Sequence, residues 1–152
     1  MKHLNVCLFL AGVLSLGVAL FQAVISFVPE WSAALGAGDA LASNPSLLLI
    51  LGLAVTVLFA IAGLYGLSGA GLIRRLPLLR LGLLVIGAVY TLRGISFIFL
   101  FLMALGLLPS PGPASLSAWL SSLVALVIGL LFLVGLLTGW KVLKMRALGV
   151  PA

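Results

Sequence analysis

Four long apolar stretches, at about residues 4–28, 46–72, 81–108 and 117–140, constrain this chain more than any other feature. A helix needs about 20 largely apolar residues to cross a hydrocarbon core of roughly 30 Å, and each stretch reaches that length. Prolines and turn residues separate the stretches, at Pro29, at Asn44-Pro45 and at 109–113. The pattern predicts an all-α fold: a polytopic membrane protein with a bundle of four transmembrane helices.

Composition argues against a soluble domain of this size. Of the 152 residues, 64% are hydrophobic and 7% are charged, whereas about 25% of residues are charged in an average soluble domain. One core of this size cannot bury so much apolar surface, so we expect the excess to face lipid. The longest connection runs only from 29 to 45. We therefore predict that residues 1–152 form a single four-helix transmembrane domain.

Basic residues indicate which side of the membrane each loop occupies. They precede the first stretch, separate the second from the third and follow the fourth: Lys2; Arg74, Arg75 and Arg80; Lys141, Lys144 and Arg146. Both acidic residues, Glu30 and Asp39, lie in the loop predicted on the other side. Because Lys and Arg are retained on the cytoplasmic side, we expect cytoplasmic N- and C-termini and a multi-pass location in a bacterial inner membrane.

The net charge of +6 has the same explanation. It is a topology signal that also favours anionic lipids at the basic cytoplasmic loops, and it does not indicate binding to nucleic acid.

The first stretch has an alternative interpretation as a cleaved signal peptide, because Lys2 and His3 precede it. Its apolar run of about 25 residues is longer than the usual 7–15, and no small-residue cleavage site follows, so we favour a retained span. The single Cys7 excludes an internal disulfide, and with His3 it cannot form a closed zinc site. The sequence also lacks a serine–histidine–acid set and a phosphate-binding glycine loop. We predict no metal, no cofactor and no enzymatic activity.

Small residues recur at helical spacing within the apolar stretches. They include Ala62, Gly66 and Ala70 in the second, Gly87 and Gly94 in the third, Gly135 and Gly139 in the fourth, and Gly12 in the first. Such residues let helix backbones approach closely in lipid. We predict that these faces form helix contacts, either within one chain or between copies.

Arg93 is the one charged residue inside an apolar stretch. It lies 12 residues beyond residue 81, which places its Cα about 18 Å from the cytoplasmic edge and past the middle of the core. An arginine there costs about 2.5–3.5 kcal/mol to insert, so we expect its guanidinium to face the bundle or a water-filled cavity. Arg93 is therefore the leading candidate for a functional site.

Several polar residues are candidate partners of Arg93 in one binding cluster. They are Tyr90, one turn away; Tyr65, at a depth close to that of Tyr90, so that the two phenols could meet; Gln22 and Thr56, nearer the outer leaflet; and Glu30, beyond the first helix. Two interpretations remain open. In the structural one, these groups satisfy Arg93 and fix helix register. In the functional one, the planar guanidinium binds a lipid phosphate, a carboxylate substrate or an acidic residue of a partner subunit.

Short segments in the first two thirds of the chain carry a family resemblance. They are PEWS at 29–32, Gly36-Ala37, Asn44-Pro45, LYGLSGAG at 64–71, RRLPLLR at 74–80 and YTLRG at 90–94. These segments resemble a group of small uncharacterised four-helix proteins of bacterial inner membranes. The resemblance implies location and topology, but no activity and no catalytic residue. The basic turn at 74–80 is interpreted either as a topology signal alone or as a shaped docking surface.

Three classes of function remain open at this point. The first is a non-enzymatic accessory, assembly or structural component that packs with a membrane-protein partner or with itself as a homo-oligomer. The alternative is a small oligomeric transporter or channel, or a lipid- or anion-binding membrane protein, that uses Arg93. The third, an enzyme acting on lipids or quinones, would need an intramembrane acid or base beyond the tyrosines. The lack of a catalytic set and the small-residue faces favour the first.

Overall fold

The computed structural model describes residues 5–28, 30–31, 44–74, 76–107, 109 and 116–139. These residues form four long helices: α1, Val6–Ser26; α2, Pro45–Ala70; α3, Leu79–Ala104; and α4, Leu116–Thr138. All four are long and apolar enough to cross a bilayer, and at 1.5 Å per residue they measure about 32–39 Å. The predicted all-α fold is confirmed: the chain is a multi-pass integral membrane protein with a four-helix bundle.

Some of the predictions concern residues outside the described part of the chain. Arg75 and Asp39 are among them, as are the basic residues of both termini. We name the two ends of the bundle the Arg74 end and the Glu30 end, after a residue that lies at each. The Arg74 end contains the α2–α3 connection, the start of α1 and the end of α4, and the Glu30 end contains the opposite termini of the helices.

The helices run alternately up and down. α1 packs most extensively on α2, and α3 packs most extensively on α4, while α1 and α4 form the larger of the contacts that join these two pairs. Asn5 stabilises that junction, because its Nδ2 donates a hydrogen bond to the Gly135 carbonyl at 2.7 Å. The Asn5 Oδ1 also caps α1 by accepting from the Leu8 backbone N–H at 3.2 Å. One side chain thus starts α1 and fixes it to the end of α4.

Small residues bring the backbones of the paired helices close together. A Cβ added to Gly66 of α2 would lie 2.6 Å from the Cα of Gly12 in α1. A Cβ added to Gly94 of α3 would lie 2.5 Å from the Cα of Leu126 in α4. The prediction that small-residue faces form helix contacts is confirmed, and these contacts lie within one chain.

The buried core is apolar and the outer surface is apolar as well. Leu8, Leu83 and Phe132 are completely buried where the helices meet. On the outside, large side chains such as Leu20 and Leu92 are 70% and 71% exposed. A surface of this kind requires lipid or another apolar protein surface around it.

Candidate functional site

Arg93 lies on the exposed side of the α3–α4 pair. Its Nη1 donates a hydrogen bond to the Ser122 hydroxyl at 3.1 Å, and its Nη2 donates to the Ser121 hydroxyl at 3.4 Å. The guanidinium thus faces the neighbouring helix of its own bundle, where one of its partners, Ser122, is buried, although Arg93 as a whole residue is exposed. Two serines of the neighbouring helix hold the charge at the periphery of the bundle.

The register of α3 against α4 shows in which direction the Arg93 side chain extends. Close contacts pair Gly87 with Leu133, Thr91 with Gly129 and Gly94 with Leu126. By this register the Cα of Arg93 lies beside Val127 of α4. Ser122 precedes Val127 by five residues, so it lies about 7 Å nearer the Glu30 end than the Cα of Arg93 does. Since the Cα–Cβ bonds of α3 tilt toward its start at the Arg74 end, the side chain turns against that tilt. The guanidinium snorkels along the groove toward the Glu30 end.

The guanidinium nevertheless stays below the end of the bundle. Ser122 lies six residues after Leu116, which corresponds to about 9 Å from the start of α4. Phe97 and Trp119 line the same groove on the side of the Glu30 end, with ring centroids 5.4 Å apart in an edge-to-face contact. Of the five guanidinium N–H donors, two are used by the serines, and the described residues provide no partner for the other three.

The two tyrosines of the predicted cluster lie apart. The Tyr65 hydroxyl donates to the Pro77 carbonyl at 3.1 Å, and its ring lies against Gly82 at the Arg74 end. Tyr90 stacks between two phenylalanines of the core, Phe59 and Phe132. Gly82 and Tyr90 are eight residues apart on α3, or about 12 Å. The prediction that the two phenols meet is therefore wrong.

The buried Tyr90 hydroxyl faces Ser15 of α1. Neither oxygen reaches hydrogen-bond geometry with any group in the described part of the chain. Tyr90 is 7% exposed and Ser15 is completely buried. Tyr90 therefore contributes to the bundle through its stacked ring, and its hydroxyl lies beside that of Ser15, away from Arg93.

The other predicted partners do not contact Arg93 either. The Thr56 hydroxyl donates to the Gly52 carbonyl of its own helix at 2.9 Å. The backbone carbonyl of Gln22 accepts from the Ser26 hydroxyl at 2.7 Å, also within one helix, and Gln22 lies on α1, which is not the helix that packs on α3 most extensively. Glu30 is exposed beyond the end of α1. The structure thus does not bring the predicted cluster around Arg93 together.

Ser121 and Ser122 are the functional candidates that the sequence interpretation missed. The sequence could have indicated them. In two adjacent antiparallel helices, residues at similar distances from the connection lie side by side. Counting outward from the α3–α4 connection puts the serine pair within one or two turns of Arg93.

The α2–α3 connection has a fixed shape at the Arg74 end. Gly71 ends α2 in the left-handed conformation, with φ of +91°. The Ser68 hydroxyl then bridges the turn: it donates to the Arg74 carbonyl at 3.0 Å and accepts from the Leu76 N–H at 3.1 Å. Together with the bond from Tyr65 to Pro77, this clamp holds the turn from two residues of α2.

The basic side chains around this turn are differently placed. Arg74 is exposed, whereas Arg80 lies in the first turn of α3 and is half-buried. Arg75, the third member of the predicted basic turn, is outside the described residues. The structure therefore presents Arg74 to the surroundings on a clamped backbone.

The described residues contain no group of three or more His, Cys, Asp and Glu side chains arranged to hold a metal ion. Comparison with known proteins gives no match to a family model, a curated protein or a solved structure. The resemblance to small bacterial inner-membrane proteins therefore stays a prediction. The four-helix membrane architecture and the exposed Arg93 are the grounds for any functional proposal.

Proposed function

We propose that this chain is a non-enzymatic accessory, assembly or structural component that packs laterally with a partner protein, or with itself, in a bacterial inner membrane. In this proposal both termini are cytoplasmic. The observation that carries it is the position of Arg93, which is exposed on the side of the bundle and well inside the length of its helix.

An exposed charge at this depth makes lipid a poor neighbour for the α3–α4 face. Placing an arginine near the middle of a bilayer costs about 2.5–3.5 kcal/mol, even with snorkelling. Ser121 and Ser122 offset part of that cost but leave three N–H donors without a described partner. Packing against another protein surface removes lipid from the guanidinium and supplies acceptors to it.

The hydrogen bonds of the other polar side chains support a non-enzymatic role. Asn5 joins two helices, Ser68 and Tyr65 clamp a turn, and Thr56 bonds to its own helix. These groups hold backbone in place and do not converge on a common site. Catalytic sites commonly bring together groups such as a nucleophile and a base within hydrogen-bond reach.

The clamped turn at the Arg74 end suggests a second contact of this component. Arg74 is exposed there, and basic residues next to a membrane attract anionic lipid headgroups. In the proposed orientation this turn faces the cytoplasmic leaflet, so anionic lipids are its expected partners.

Native mass spectrometry of the protein extracted from its own membrane in mild detergent tests the proposal. We expect a complex of fixed stoichiometry, either with a second protein or between copies. Arg74→Gln is the matched control for Arg93→Gln, since both remove one exposed positive charge and only the second should release the partner. Recovery of a lone monomer without partner would contradict the proposal.

The alternative is a small oligomeric channel or transporter, or an anion-binding membrane protein. It is favoured by the Arg93 donors that have no partner among the described residues, because several copies of the chain could enclose these donors in a shared anion path. Anion flux into liposomes containing the purified protein separates the two functions. Flux that falls in Arg93→Ala would support the alternative, whereas unchanged flux would remove Arg93 from any path.

A further inference from the structure

We infer that the α3–α4 face around Arg93 binds a transmembrane helix of a different protein, and that this helix carries a carboxylate at the depth of Ser121 and Ser122. The inference rests on the proposed function as a laterally packing component. It adds the chemical identity of the partner and the position of its key residue.

The positive charge and the remaining N–H donors of the guanidinium favour a carboxylate as its partner. Ser121 and Ser122 fix the position of the guanidinium with two hydrogen bonds. Its other N–H groups lie on the exposed side of the bundle. A guanidinium and a carboxylate match in shape and form paired, charge-assisted hydrogen bonds. In a low-dielectric environment this attraction is much stronger than in water. A carboxylate thus satisfies both the charge and the remaining donors.

The four described helices of a second copy contain no carboxylate side chain. The chain has two acidic residues, Glu30 and Asp39. Both lie in the sequence between the end of α1 at Ser26 and the start of α2 at Pro45. A symmetric dimer through the Arg93 face would instead bring two positive charges together. The neutralising helix therefore comes from a different protein.

A lipid phosphate is less well placed than a neighbouring helix. The serines that hold the guanidinium lie about 9 Å below the start of α4, at hydrocarbon depth. Phe97 and Trp119 line the groove toward the Glu30 end. The flanks of the site, in contrast, are open sideways: Leu92 is 71% exposed and Leu123 is 41% exposed. This apolar, laterally open face with one charge suits a helix that approaches in the plane of the membrane.

Site-specific photo-crosslinking in the native membrane tests the inference. A photoreactive residue replaces Leu92, next to Arg93, and in a matched control it replaces Leu20, which is 70% exposed on α1. We expect the Leu92 position to crosslink a different membrane protein that has an Asp or Glu inside a transmembrane segment. Arg93→Gln should reduce that product at least about tenfold, and Arg93→Lys should retain part of it.

The partner's carboxylate is then tested directly. Its change to the corresponding amide should weaken the crosslink as much as Arg93→Gln does. Exchanging the charges, with Arg93→Glu here and arginine at the partner's acidic position, should restore it. Circular dichroism of each variant in detergent shows that the helices remain folded, so that loss of the product reports loss of binding.

Several outcomes would overturn the inference. One is a crosslink from Leu92 to a second copy of the chain, and another is a protein partner whose crosslink does not change in Arg93→Gln. A third is Arg93-dependent retention of phosphatidylglycerol by protein reconstituted in vesicles of phosphatidylcholine and phosphatidylglycerol, without any protein partner. The first two leave the proposed function intact. Absence of any protein crosslink from both Leu92 and Leu20 would count against the proposed function itself.

Discussion

The Arg93 guanidinium donates a 3.1 Å hydrogen bond to the Ser122 hydroxyl of α4, about 7 Å along the groove from the level of its own Cα. Arg93 itself is exposed, whereas Ser122 is buried in the bundle, so this bond runs from the surface into the α3–α4 contact. The core of the same contact consists of apolar residues and glycines such as Gly94 and Gly129. The charge therefore lies beside the closely packed part of this contact and is tied to it through one buried serine.

Replacing Arg93 by leucine should leave the isolated bundle folded. The change removes one half-buried and one exposed hydrogen bond, and it also removes the cost of holding a charge near lipid. We expect the midpoint of thermal unfolding in detergent to stay the same or to rise. A large fall in the midpoint would show that Arg93 is needed to hold α3 against α4.

Replacing Gly66 by alanine should destabilise the α1–α2 pair. The new methyl group would lie 2.6 Å from the Gly12 Cα, and backbone cannot move aside as a side chain can. We expect a loss of about 1–3 kcal/mol, the usual cost of overpacking, measured by thermal unfolding in detergent.

Gly17 of α1 is the matched control for Gly66. A Cβ at Gly17 meets no atom within 4 Å, and alanine favours the helix more than glycine does. Gly17→Ala should therefore keep or slightly raise stability. Equal losses for the two variants would contradict the close α1–α2 contact.

Replacing Tyr65 by phenylalanine should loosen the turn at the Arg74 end. The variant loses the hydrogen bond to the Pro77 carbonyl, which is worth about 1 kcal/mol. We expect faster cleavage by trypsin after the exposed Arg74. Tyr90→Phe is the control, because the Tyr90 hydroxyl has no partner among the described residues. If both variants were cleaved at the same rate, the clamp by Tyr65 would be refuted.

The side of the membrane that the Arg74 end faces can be measured with the same protease. If this end is cytoplasmic, as we propose from the basic residues, trypsin added to inverted membrane vesicles should cut after Arg74. Right-side-out vesicles should protect it. The opposite pattern would reverse the proposed orientation of all four helices.

Much of the fold could be predicted from the sequence because the signals are local. Apolar length, together with the prolines and turn residues between the stretches, predicted each helix to within four residues at either end. The small residues at positions such as Gly12, Gly66 and Gly94 were also correctly assigned to helix contacts. The least accurate boundary was the end of α3, predicted at residue 108 and found at Ala104, because apolar residues continue beyond the point where the backbone leaves the helix.

The candidate site was harder to predict because it depends on rotation and register between helices. Depth along a helix can be counted in the sequence, and it suggested that Tyr65 and Tyr90 meet. The angle around each helix axis cannot be counted in the same way when nearly every position is apolar. Tyr65 points to the turn and Tyr90 into the core, so similar depth did not bring them into contact.

The sequence by itself determined that this is a four-helix membrane protein with one charge far inside a span, because hydrophobic length and charge are properties of contiguous residues. Only the tertiary structure decided that small-residue faces join helices of one chain, and that Ser121 and Ser122 hold Arg93 on the exposed side. The physical reason is that helix rotation and register are fixed by packing across the whole bundle, so the contacts of any one side chain depend on residues far from it in sequence.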